Sequence, residues 1–270
     1  MQFVFRSAEE SNPDAGGMIK GWRLWGCQLE IMTDKTEAWQ REVDRPAVKV
    51  TGRAERHRRR VIFEGVVVIA LMIFIALTVL ASTRAYFQID LAITQALQSL
   101  QARWFASLMG AVSWPGNWPQ SVIVTGLLIL GIWWAGFKRA TVIGALCAIG
   151  VQLLNSLVKI SVQRPRPAAD LVDVFRELGT FSFPSGHVMF YTGFFGFLLF
   201  LVYRLIKDSW KRMALMTIFG GLVALVGLSR VYLGAHWASD VLGGYILGGV
   251  WLLLMVEVYR RGQPRSEEGV

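Results

Sequence analysis

Apolar residues run in long unbroken blocks from residue 61 onward, and polar residues collect between the blocks rather than alternating within them. A helix rises about 1.5 Å per residue, so about 20 apolar residues cross a hydrocarbon layer about 30 Å thick. The blocks at 61–82, 121–137, 141–160, 187–206, 213–228 and 237–259 predict six membrane-spanning helices. Glu64 falls in the first turn of the first block, within reach of the interface. Between the first two blocks, residues 83–118 carry Leu91, Leu97, Leu100, Trp104 and Leu108 at near-helical spacing. They predict an interfacial helix, ended by the turn Trp114-Pro115-Gly116-Asn117-Trp118-Pro119. The fold class is all-α, a polytopic membrane protein with about six transmembrane helices.

Composition agrees. The 270-residue chain is 54% hydrophobic and 17% charged, against about 25% charged in a soluble domain, and its mean hydropathy is +0.44. That excludes disorder and argues against a soluble enzyme, whose surface would have to carry the apolar blocks. Residues 1–60 read as a polar, basic, flexible leader ending in Arg53, Arg56, Arg58, Arg59 and Arg60. No compact apolar stretch follows an N-terminal charge, so no signal peptide is expected; Met18 and Met32 are alternative start candidates. Residues 61–259 form the six-span domain and 260–270 a short tail. Cys27 lies in the leader and Cys147 in an apolar block, so they are not expected to pair.

The net charge of +9 raises nucleic acid as a partner, but the basic residues sit at the ends of apolar blocks, where membrane topology explains them. Lys138 and Arg139, then Arg204, Lys207, Lys211 and Arg212, then Arg260 and Arg261 all fall on the leader's side if there are six spans. By the positive-inside rule that side, with the leader and the tail, is cytoplasmic. A bacterial inner membrane is expected, although the rule alone would also suit the endoplasmic reticulum. Gly244 and Gly248 mark a close-packing face, and Gln152 and Asn155 read as interhelical hydrogen-bonding residues. Trp104, Trp114, Trp118, Trp133, Trp134, Trp210 and Trp251 read as interfacial anchors, while Trp237 is a candidate for lining a lipid entrance.

Three polar sets do not fit a bland membrane protein. They are Lys159 with Arg166-Pro167; Pro184-Ser185-Gly186-His187; and Ser229-Arg230 with His236 and Asp240. Each stands at the non-cytoplasmic end of a block. Lys159, Arg166 and Arg230 together would repel one another beside hydrocarbon unless an anion joined them. Arginine grips phosphate bidentately, and the amides of Ser185 and Gly186 at a helix start suit the same anion. His236 and Asp240, four apart on one helix face, form a nucleophile with an orienting carboxylate on Nδ1, leaving Nε2 to attack phosphorus. His187 is then the general acid and base. No cluster has metal-ligand spacing, so no cofactor or metal requirement is expected.

These motifs resemble the type 2 phosphatidic acid phosphatase superfamily, which shares a helical core with vanadium-type acid phosphatases and vanadium haloperoxidases. The resemblance covers residues 61–259, with all three motifs in order. It implies that His236, Asp240 and His187 are nucleophile, orienting carboxylate and acid/base. It implies that Lys159, Arg166, Ser185, Gly186 and Arg230 hold phosphate; Ser229 belongs to the motif without a derived role. It implies a membrane lipid phosphatase acting through a phosphohistidine at the outer face, on phosphatidic acid, phosphatidylglycerol phosphate or undecaprenyl diphosphate. Loops 83–118 and 168–183 are the expected selectivity elements, with Asp170, Asp173, Arg176 and Glu177 read as solvated charge. A lipid phosphotransferase, a haloperoxidase and a non-catalytic lipid transporter are the alternatives. Oligomeric state is not legible.

Overall fold

The computed structural model describes residue 52 and residues 54–262. Cys27, most of the expected leader and the end of the expected tail lie outside the described residues. The chain divides into two compact units at Glu64, inside the first helix, α1 (Ala54–Thr83). In the first unit, Arg59 pairs with Glu55 and Arg60 with Glu64, each at 2.7 Å and one helical turn apart.

The second unit continues with α2 (Gln88–Gln98), α3 (Arg103–Ser113), a 3-10 turn (Trp114–Gly116), α4 (Gln120–Trp134) and α5 (Lys138–Val162). Then come α6 (Gly186–Phe190), a π-helical turn (Tyr191–Phe195), α7 (Gly196–Leu205), α8 (Trp210–Tyr232) and α9 (Ala238–Arg261). No strand occurs among the described residues. Five helices are long and apolar enough to cross a membrane: α1, α5, the continuous α6–α7, α8 and α9. The block expected at 121–137 yields the shorter α4, 15 residues. Pro119 stands at its start, and Gly136, at φ +86°, ends it one residue past its C-cap. The expected interfacial helix is two helices. The break follows Ser99, where the Tyr232 hydroxyl donates to the Leu100 carbonyl at 3.1 Å, and α3 buries Met109, Val112 and Ser113.

The span α6–α7 is the axis of the bundle, with 72% of its apolar window buried against 11% for α1. Small residues let its neighbours approach. A Cβ on Gly244 would stand 3.0 Å from the Ser185 carbonyl, and one on Gly248 3.1 Å from the Met189 backbone, so these glycines are where α9 meets α6. Trp251 is half-buried against Gly150 and Gly193 rather than an interfacial anchor, whereas Trp104, Trp114, Trp118, Trp133, Trp134 and Trp210 are exposed. Gln152 is exposed and makes no interhelical bond, because it lies off the buried stripe that holds Val151 and Asn155. Cys147 is buried with a free thiol.

The outward surfaces of α1, α4 and α5 are apolar, with Val68, Ile75, Leu127, Leu153 and Leu157 all more than half exposed. Such a surface needs lipid around it, and the protein is an integral membrane protein. Its two ends differ. Arg139 at the start of α5 donates to the Val258 and Gly262 carbonyls at 2.6 and 2.9 Å, joining the cationic ends of α5 and α9. At the other end, α5 stops at Gln163, a left-handed residue at φ +53° that swings the chain into Arg164-Pro165-Arg166-Pro167.

Close packing and helix propensity oppose each other at two adjacent glycines. Gly248→Ala must push against the Met189 backbone and is expected to cost about 1–2 kcal/mol. Gly249, with nothing within 4 Å of a Cβ, is expected to gain up to about 1 kcal/mol as Ala. Thermal melting of the two variants in detergent checks the contrast.

Candidate active site

All eight residues singled out from the motifs gather at one end of the bundle. Lys159 is in the last turn of α5 and Arg230 in the last turn of α8. Ser185 caps α6, and Gly186 and His187 open it. His236 precedes α9, and Asp240 sits in its first turn. The three motifs meet because α5 and α8 end where α6 and α9 begin.

His236 is buried, with 2% of its surface exposed. Its Nε2 lies 3.1 Å from Arg166 Nη1. A guanidinium has only donors, so Nε2 presents its lone pair and the ring proton is on Nδ1. Burial pushes the His236 pKa well down, and the nearby cations Arg166, Lys159 and Arg230 push it further, against the smaller opposing effect of a hydrogen bond that the ring donates to the Ser182 backbone carbonyl. His236 is therefore neutral around pH 7, the form that carries a free lone pair.

The expected direct bond from His236 Nδ1 to Asp240 is absent: the separation is 3.6 Å. Ser182 stands between them. Its hydroxyl lies 3.5 Å from Nδ1 and donates to Asp240 Oδ2 in a short hydrogen bond. Asp240 is saturated by other donors, with Oδ2 also accepting from Trp237 N at 2.9 Å and Oδ1 from Arg164 Nη1 at 2.6 Å. The carboxylate thus orients His236 through Ser182 rather than by contact.

Lys159 and Arg166 are held mainly by backbone carbonyls, Arg230 by a side-chain hydroxyl. Arg166 donates to the Thr180 carbonyl at 2.7 Å, the Thr180 hydroxyl at 2.8 Å and the Ala235 carbonyl at 2.5 Å. Burial lowers its pKa to about 10, opposed by the pull of Asp240, which leaves it charged at neutral pH. Lys159 donates to the Phe181 carbonyl and, at 3.3 Å, to that of Ser182. Arg230 donates to Ser113 at 2.6 Å, while its buried Nε has no partner. The Ser185 hydroxyl is likewise buried and unpartnered. Two orphaned polar groups of this kind, one of them cationic, mark where an anion is wanted. The Ser185 amide is already committed to the Asp240 carbonyl at 3.1 Å. The helix-start amides left for an anion are therefore those of the first turn of α6, beginning at Gly186. Ser229 donates to the Met109 carbonyl at 2.6 Å, a purely structural bond between α8 and α3.

His187 Nε2 lies 3.1 Å from Asn117 Oδ1, and Gly116 leaves room for the ring, since a Cβ there would stand 2.5 Å from it. A cavity of about 190 Å³ opens beside His187 and Arg230, with Ser113, Asn117 and Ala235 in its wall and Phe175, Arg176 and Leu178 over it. Gln98 of α2 holds that cover, donating to the Asp173 carbonyl at 2.7 Å and to the Tyr232 carbonyl at 2.9 Å. Asp170, Asp173, Arg176 and Glu177 are exposed, and none forms an ion pair among the described residues. Trp237 does not line an entrance: it is 1% exposed and packs on Tyr86 with ring centroids 5.3 Å apart.

Several partners of the site escape the motif pattern. Arg164, Ser182, Asn117, Ser113 and Asp90 are polar residues in ordinary loop or helix-end positions. The one available signal is Arg164, which repeats the Arg-Pro pattern two residues before Arg166. Asn155, read as a packing residue, supports the site from below: its amide donates to the Pro184 carbonyl at 3.1 Å. Among the described residues no group of three or more His, Cys, Asp or Glu gathers as for a metal ion.

Fold and site together define a helical membrane protein with a buried histidine ringed by three cations. Residues 140–263 match the PAP2 superfamily. Phosphatidylglycerophosphatase B of Bacillus subtilis is 32% identical over 183 residues, 66% of this chain and 86% of that protein. Undecaprenyl-diphosphatase BcrC of the same organism is 26% identical over 132 residues, 47% of this chain and 63% of that one. The crystal structure of a transmembrane PAP2-type phosphatidylglycerolphosphate phosphatase from Bacillus subtilis superposes with a TM-score of 0.65 at 27% identity, over 74% of this chain and 98% of that one. The chain belongs to the PAP2 superfamily.

Removing Asp240 leaves the buried Arg164 with one carboxylate instead of two. Asp240→Ala is expected to destabilise the fold by about 3 kcal/mol or more, measured as loss of thermal stability in detergent.

Proposed function

We propose that this chain is a membrane lipid phosphatase that hydrolyses a phosphomonoester or diphosphate of a lipid, with His236 as nucleophile. The observation that carries the reading is the lone pair of His236 Nε2 facing Arg166 at 3.1 Å, inside a ring of cations that includes the unpartnered Arg230 Nε. The names of the relatives, a phosphatidylglycerophosphatase and an undecaprenyl-diphosphatase, support the substrate class.

In the first step Nε2 bonds to phosphorus as the bond to the lipid oxygen breaks, and His187 gives that oxygen a proton. Lys159, Arg166, Arg230 and the α6 amides stabilise the charge on the equatorial oxygens. In the second step His187 takes a proton from water, the water oxygen bonds to phosphorus, and the P–N bond breaks to return the electron pair to Nε2. Ser182 and Asp240 stabilise the Nδ1 proton throughout. No step calls on a metal. The site faces the non-cytoplasmic side of a bacterial inner membrane, with the arginine-rich ends inside, residues 1–60 as leader, 61–259 as catalytic domain and 260–270 as tail. A lipid whose phosphate enters the cavity keeps its tail in the bilayer.

The test is phosphate release by purified protein in detergent with EDTA, offering phosphatidic acid, phosphatidylglycerol phosphate and undecaprenyl diphosphate to wild type and His236→Ala. Release by wild type alone supports the reading and ranks the substrates. Equal release by both proteins, or none by either, overturns it.

The pH profile carries a sign. His236 must be neutral to attack, and burial with neighbouring cations disfavours its proton. Activity that depends on it is retained as pH falls through the ordinary histidine value of about 6.5 and lost only below. The acid limb of kcat/KM for wild type is expected below pH 6.5.

A further inference from the structure

Arg164 lies outside the phosphate ring and is fully enclosed, with none of its side chain exposed. It divides its guanidinium between two carboxylates. Nη1 meets Asp240 Oδ1 at 2.6 Å and Nη2 meets Asp90 Oδ2 at 3.0 Å, and both carboxylates are themselves buried. Nη1 also donates to Ser239 Oγ at 2.7 Å, and Nε to the Ala85 carbonyl at 3.1 Å. Asp90 in turn accepts from Ser239 N at 2.8 Å and Ser239 Oγ at 2.6 Å.

Each aspartate also closes the start of its own helix. Asp90 accepts from Phe87 N at 3.2 Å at the start of α2, and Asp240 from Trp237 N at 2.9 Å at the start of α9. Asp90 is therefore tied to Asp240 through Arg164 and directly to its chain neighbour Ser239. It stands outside the region matched to the family, residues 140–263, on a helix, α2, that carries none of the eight motif residues.

We propose that Asp90 and Arg164 are positioning residues for the phosphoryl transfer: Arg164 fixes the Asp240 carboxylate where Oδ2 meets Ser182, and Asp90 leaves the buried cluster with one negative charge in excess to balance His236 when it becomes cationic. This rests on His236 being the nucleophile of the reaction proposed above. Arg164 alone with Asp240 would be neutral. A phosphorylated His236 that keeps its Nδ1 proton carries a ring cation, and three of the groups around it are cations against the single carboxylate of Asp240. Those facing His236 are Arg166 from the loop after α5, Lys159 from α5, Arg230 from α8, His187 from α6 and Asp240 from α9. Asp90 is the further carboxylate that offsets them, at one remove.

Asp90→Asn removes the charge and keeps the shape, and an amide oxygen still accepts from Ser239. It is expected to lower kcat by about tenfold with KM unchanged, because Asp90 touches no phosphate. It also moves the acid limb of kcat/KM to lower pH, since a less negative surrounding makes His236 harder to protonate. A purely structural role would reduce the amount of folded enzyme and leave the limb where it was. Ser239→Ala keeps every charge and is expected to leave the limb unmoved.

The same shift is read without turnover by NMR of protein labelled with 15N-histidine, using His236→Gln to assign the signal. The His236 titration moves to lower pH in Asp90→Asn and not in Ser239→Ala. An unmoved titration in folded Asp90→Asn protein overturns the proposal, whether or not any lipid is hydrolysed. Absence of phosphate release from wild type with a shifted titration supports the charge coupling and overturns the phosphatase reading instead.

Discussion

The structure depends on a guanidinium buried between two carboxylates. Arg164 joins the loop after α5 to the starts of α2 and α9, and each of those helices is closed by the aspartate that Arg164 binds. A buried guanidinium costs several kcal/mol unless its donors are matched. Here Nε meets backbone carbonyls, Nη1 meets Asp240 and Ser239, and Nη2 meets Asp90. The same contacts fix the first turn of α9, which carries Asp240. Without the arginine two buried carboxylates lose their shared cation, and the chain ends it joins lose their common tie.

From that anchor the site is built outward by backbone carbonyls. Those of Phe181 and Ser182 hold Lys159, and those of Thr180 and Ala235 hold Arg166. Carbonyl dipoles accept from a cation without cancelling its formal charge, so the ring stays strongly positive while its members are fixed. The contrast is with the arginines at the opposite end of the bundle, where Arg212 pairs with Asp208 and Arg261 with Glu257. Pairing with acids there spends the charge locally. Holding by carbonyls at the site keeps it available to a ligand.

Much of this was legible in the sequence because hydrophobic blocks and motif spacing act locally. The spans follow from block length, and the convergence of Lys159, His187, Arg230 and His236 follows from alternating helix direction. The indirect path from His236 to Asp240 was not legible. Four-residue spacing puts both on one face, but whether they touch depends on Ser182, contributed by a loop far away in sequence. Asp90 was hidden for a similar reason, because an aspartate in a first turn reads as a cap until a distant arginine is folded against it. The length of α4 was hidden because apolar residues continue through Gly136 and Phe137, while the backbone turns there.

That short helix bears on how a lipid reaches the cavity. Fifteen residues rise about 22 Å, against a hydrocarbon layer of about 30 Å. Lipids beside a helix that is too short are drawn inward, and the mismatch is met by local thinning of the bilayer at a modest cost per ångström. Thinning there would lie beside the turn before α4, which carries Asn117, the partner of His187. For the lipid substrate of the proposed reaction, head groups drawn lower at that point would bring the phosphate toward the histidines while the lipid tail stays among its neighbours.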